Sequence, residues 1–107
     1  MTTYDIETKT VEMLKTVFDP EIPVNVYDLG LIYKIDVTEP EAEVFDISIE
    51  MTLTAPNCPA ADFIIEDIRQ KVGSIHNVRN ADVELVFEPE WNKDMMSEEA
   101  KLDLGFL

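Results

Sequence analysis

Cys58 is the residue whose type and setting best suit chemistry, because it is the only cysteine of the chain and is followed directly by Pro59. Proline fits the first position inside a helix, where its missing N–H would have had no partner. That spacing puts Cys58 at or beside an N-cap, with its sulfur facing free backbone N–H groups and the positive end of the helix dipole. Both favour thiolate over thiol, and the thiolate is the better nucleophile and metal ligand. The charge of the chain works the other way. With 23 acidic and 8 basic residues it carries −15, which opposes a further anion and leaves a modest net activation. The competing reading is that Cys58 is a small packed hydrophobe, as free cysteines often are.

A lone cysteine cannot close an internal disulfide. Nor can one thiolate hold a zinc ion or an iron-sulfur cluster, each of which usually takes about four ligands. Any bound metal must therefore be shared between two copies, completed by a partner or a small thiol, or ligated in part by carboxylates such as Glu21 or Asp28. Asp19, Glu21 and Asp28 could together form a polar pocket near Cys58, although turn formation and capping account equally well for acidic residues beside prolines and a glycine. His76, the only imidazole, reads as a solvent-facing residue after a helix end. Trp91 reads either as a contact anchor for another protein or as a lid over the core. The sequence has no glycine-rich phosphate loop, no metal-spaced histidine pair, and too few groups for a catalytic triad.

The elements that must position Cys58 follow from hydrophobic spacing. Residues 3–18 carry Ile6, Met13 and Val17 beside Val11, Leu14 and Phe18, the pattern of an amphipathic helix that ends at Asp19-Pro20-Glu21-Ile22-Pro23. A stiff loop follows through Asn25 and Asp28 to Gly30. Residues 31–37 alternate as a half-buried strand with Leu31, Tyr33, Ile35 and Val37 inward, and Thr38-Glu39-Pro40-Glu41 reads as a turn. Phe45, Ile47, Ile49, Met51 and Leu53 give a second strand and an antiparallel hairpin. Ala61, Ile64, Ile65, Ile68 and Val72 form the stripe of a second helix ending near Gly73. A third strand has Ala81, Val83, Leu85 and Phe87 inward, and Ser97 caps a last helix running towards Gly105. Residues 88–97 between them read as a mobile stretch.

The expected fold is α+β, a two-layer sandwich in the order α-β-β-α-β-α, with a small mixed sheet and helices packed on one face. A length of 107 residues and 46% hydrophobic content suit a single domain spanning residues 1–107. No run approaches the roughly 20 apolar residues of a bilayer-spanning helix, and the N-terminus lacks an export signal, so the expected place is the cytoplasm. The negative charge repels phosphates and anionic lipid over roughly 10 Å, which argues against nucleic-acid or membrane partners.

Four blocks in order carry a family resemblance: Asp19-Pro20-Glu21-Ile22-Pro23; Tyr27-Asp28-Leu29-Gly30-Leu31-Ile32-Tyr33; Met51-Thr52-Leu53-Thr54 followed by Cys58-Pro59; and Trp91 with Met96-Ser97-Glu98-Glu99-Ala100. With these the chain resembles the SufT-type or PaaD-like metal-sulfur cluster assembly domains over nearly its whole length. The resemblance implies a non-catalytic accessory or carrier in the maturation of iron-sulfur proteins, with the family's functional cysteine falling on Cys58. It places the family's acidic loop position on Glu21 and its Asp-Leu-Gly turn on Asp28, Leu29 and Gly30. Asn57 stands where relatives commonly have glycine, and asparagine tolerates left-handed backbone angles. The cysteine-rich C-terminal extension of the phenylacetate branch and the nucleotide-binding domain of the ATPase carriers are missing from this sequence, so a stand-alone SufT-like role is expected.

The expected cargo is a transient cluster or iron, and the expected partners are assembly proteins and client apo-proteins. A homodimer would bring two Cys58 thiolates together. The alternative is an adaptor that binds no metal and recruits assembly factors or clients, with Cys58 only packed. A thiol enzyme using Cys58 with His76 as base is a third reading, and it is short of catalytic groups.

Overall fold

In the computed structural model, residues 2–19, 22–54 and 61–105 are described. The order is α1 (Thr3–Leu14), β1 (Ile32–Glu41), β2 (Val44–Met51), α2 (Ala61–Gly73), β3 (Val78–Leu85), a 3-10 turn (Lys93–Met95) and α3 (Glu98–Asp103). This is the expected α-β-β-α-β-α order. The sheet runs β1-β2-β3, with β1 antiparallel and β3 parallel to the central β2. The parallel pair follows from α2, because a strand can return in the same direction only through a long crossover.

The alternation in β2 fixes which face is covered. Phe45, Ile47, Ile49 and Met51 are buried, and they meet Ile64, Ile68 and Val72 of α2 and Ile6 and Leu14 of α1 in one hydrophobic cluster. Each such side chain contributes about 1.5–3 kcal/mol by leaving water. Asp46, Ser48 and Glu50 point to the opposite face, which no helix covers among the described residues, beside Lys34 and Asp36 of β1 and Asp82 and Glu84 of β3.

α1 starts with a capping box. The Asp5 amide donates to the Thr2 hydroxyl (3.1 Å) and the Thr2 amide to the Asp5 carboxylate (2.9 Å), and the backbone bond to Thr2 is the largest cause holding Asp5 below the usual carboxylate range. The buried row is Ile6, Thr10 and Leu14, and the Thr10 hydroxyl is satisfied by the Ile6 carbonyl at 2.8 Å. The helix ends at Leu14, short of the expected residue 18. The Thr16 hydroxyl donates to the Met13 carbonyl at 2.6 Å, the chain leaves the helical path, and Phe18 ends 56% exposed.

Three further expectations are corrected. The stretch Thr38-Glu39-Pro40-Glu41 is not the turn. β1 continues to Glu41, and the chain reverses at Ala42 and Glu43, where Glu43 has φ +62°. Proline is tolerated because β1 is an edge strand and the pairing slips between Thr38 and Glu41. A second slip between Ile32 and Lys34 takes Tyr33 out of the inward row, so that Ile32 packs against the core instead. Phe87 lies beyond the end of β3 and is 47% exposed. Among the described residues, no helix is long and apolar enough to cross a membrane.

Candidate functional site

The segment holding Cys58 joins the C-terminal end of β2 to the first turn of α2. Cys58 itself lies in residues 55–60, outside the described residues, as does Glu21. The flanks on both sides are defined. The strand leaves through Thr52, whose amide donates to the Leu31 carbonyl at 2.8 Å and which is 1% exposed. Thr52, Leu53 and Thr54 then form one wall of a cleft of about 260 Å³ with Phe87, Glu90 and Trp91. On the other side α2 opens with Asp62 in its first turn. That carboxylate complements the positive helix end and lessens what the dipole offers a neighbouring thiolate.

The side chain of Asp28 is engaged within its own turn. Its amide donates to the Asn25 side-chain oxygen at 2.9 Å, and its carboxylate accepts from the Asn25 amide group at 2.7 Å. This is the turn-forming role that acidic residues near glycine suggest. Gly30 closes the loop at φ +80°, packed against the Met95 backbone. Asp19 is 3% exposed and accepts from the Ile22 amide at 3.3 Å. Among the described residues, no three histidine, cysteine or acidic side chains converge to hold a metal. His76 is exposed, next to the left-handed Asn77 (φ +74°).

The loop through Asp28 is tied to the C-terminal segment by its backbone. The Asp28 carbonyl accepts from the Ser97 amide at 2.8 Å, and the Leu29 carbonyl from the Trp91 indole N–H at 2.7 Å. Trp91 is half-buried against the core, which is the lid reading. Residues 88–97 are thus fastened at several points. Ser97 caps α3 as expected, accepting from the Ala100 amide at 3.1 Å.

Sequence reasoning missed the place of Tyr33. Its hydroxyl donates to the Pro89 carbonyl at 2.7 Å and approaches the Met95 sulfur at 3.5 Å, and burial pushes its phenol above the ordinary value, with a hydrogen bond to Thr52 pulling the other way. Ile32, Tyr33, Val86, Pro89 and Met95 wall an open groove of about 640 Å³ at this end of the sheet. No periodicity marks such a groove, since a strand irregularity and a distant loop build it together. The Asn25-x-x-Asp28 spacing was the readable signal for the loop beside it.

Comparison with known proteins turns this geometry into a family assignment. The chain is 66% identical over 101 residues to the Fe-S protein maturation auxiliary factor of Porphyromonas gingivalis, covering 94% of this chain and 92% of the relative. It is 36% identical to the Fe-S protein maturation auxiliary factor SufT of Staphylococcus aureus, covering 83% of this chain and 97% of that one. The crystal structure of a domain of unknown function from Bacillus anthracis superposes with a TM-score of 0.83 at 35% identity, covering 98% of this chain and 96% of that one. The model of the family described as iron-sulfur cluster assembly protein matches residues 7–85, from α1 to the end of β3, and with that span matched the chain belongs to that family.

Proposed function

We propose that this protein is a non-catalytic accessory factor in the maturation of iron-sulfur proteins, acting in the cytoplasm. The observation that carries the reading is the 66% identity, over 94% of the chain, to a protein named for that role. In this reading Cys58 is the working residue, held where β2 gives way to α2, and its thiolate takes iron or a transient cluster as cargo. One thiolate leaves the remaining ligand positions to others. Glu21, a small thiol, a partner's side chains or a second copy of the chain supply them, while Asp28 keeps the neighbouring loop in shape.

Hand-over is then ligand exchange. The client's cysteine loses its proton as its sulfur binds iron, and the Cys58 sulfur leaves as a thiolate that regains a proton, with no change in oxidation state. Assembly proteins deliver the cargo and client apo-proteins receive it. Deleting the gene tests this role. Cluster-dependent enzymes should lose activity and iron content while their polypeptides stay at normal abundance. Full activity in the deletion strain under iron limitation would contradict it.

A further inference from the structure

The uncovered face of the sheet is unevenly charged. Glu50 of β2 lies between Lys34 of β1, opposite it in the antiparallel register, and Glu84 of β3, with Asp82 next along the same face; among the described residues no ion pair joins Lys34 to Glu50. Like charges side by side in a sheet oppose one another. Arg79 is already engaged, paired with Asp46 at 2.9 Å. Among the described residues, neither Glu50, Glu84 nor Glu88 is in an ion pair. At the Glu50 end this face runs into the groove walled by Ile32, Tyr33, Val86 and Met95, with Glu50 and Glu88 also in its lining. The Tyr33 hydroxyl bonds to Pro89 and Met95 hold that wall in place before anything binds, which lowers the ordering cost of binding.

An apolar cleft with carboxylates in its lining selects a particular occupant. The walls take an apolar side chain, and Glu50 and Glu88 take cations on either side of it. We propose that this groove docks a segment of a partner protein in which an apolar residue is flanked by lysines or arginines. A second copy of this chain is a poor occupant, because it would bring the same carboxylates and a charge of −15 against themselves. The proposal rests on the maturation role only in taking the partner to be an assembly protein or a client.

The test is an amide NMR titration of the full-length protein, at low salt and without iron or sulfide, with a synthetic peptide carrying a central leucine between pairs of lysines. The Tyr33, Glu50, Val86 and Met95 amides should shift and saturate. The double variant Glu50→Gln, Glu88→Gln, nearly isosteric and checked for a folded spectrum, should bind about tenfold more weakly. A peptide with serine in place of leucine, and spermine, should give no saturable shift at these residues. The proposal is overturned by shifts scattered over the acidic surface, by spermine acting as well as the peptide, or by unchanged affinity in the double variant. Because no cluster is present, such a failure would leave the maturation role standing, and a failure of that role would leave the peptide affinity as measured.

Discussion

The indole N–H of Trp91 donates to the Leu29 carbonyl at 2.7 Å, binding the C-terminal segment to the Asp-Leu-Gly turn across 62 positions of sequence. The Ser97 amide makes a parallel tie to the Asp28 carbonyl. Residues that stand in separate sequence blocks are therefore one structural unit: a turn and the strap that holds it.

Replacing Trp91 with phenylalanine keeps most of the apolar contact and removes the donor. The loss should be about 1–3 kcal/mol, since the Leu29 carbonyl is left without that partner. In urea the midpoint should fall with an unchanged slope. A midpoint equal to that of the parent would show that the tie carries no weight.

Gly30 and Gly105 separate two effects of added side chains. Both have positive φ, +80° and +79°, but a Cβ at Gly30 would collide with the Met95 backbone, whereas at Gly105 nothing lies within 4 Å. Gly105→Ala should cost about 1–2 kcal/mol for the left-handed backbone alone. Gly30→Ala should cost about 3 kcal/mol or more, because the strap must also move. Equal urea midpoints for the two variants would refute the close approach.

Tyr33 gives the fold an alkaline limit. Burial raises its phenol above the ordinary 10.0 in the native state, so the native protein holds that proton more tightly than the unfolded chain does. Its contribution is complete below pH 10.0 and is lost as pH rises through the raised native value. Tyr33→Phe should cost about 1 kcal/mol at neutral pH by removing the bond to Pro89. Urea midpoints measured into the alkaline range should then decline less steeply for the variant than for the parent, and identical slopes would contradict this origin.

The strands and the two longer helices were legible because their burial follows simple periods. Ile47, Ile49 and Met51 alternate, and Ile64, Ile68 and Val72 recur every four residues. Reading failed where a polar or rigid residue found a local solution. Thr10 sits in the buried row of α1 because its hydroxyl is satisfied within the helix. Pro40 sits in a strand because that strand is an edge with slipped pairing. Tyr33 leaves the inward row at a second slip in the β1–β2 pairing, and its hydroxyl finds Pro89 and Met95, which lie 56 and 62 positions away. Long-range pairing of that kind leaves no local trace.

The candidate site was legible in part. The turn at Asp28 and the capping role of Ser97 could be inferred from residue type and spacing. Trp91 was open between two roles, and only the bond to Leu29 decides for the lid. Glu21 and Cys58 lie outside the described residues, and the sequence signals for them are residue type, the Cys58-Pro59 pairing and the family resemblance.

The most direct test replaces the chromosomal copy by Cys58→Ser and measures a cluster-dependent enzyme, its iron content and the abundance of both proteins. Activity and iron should be as low as in the deletion strain, with the variant present at parental levels and with a parental urea midpoint. Full activity in that strain would contradict it and leave an adaptor in which the cysteine is only packed.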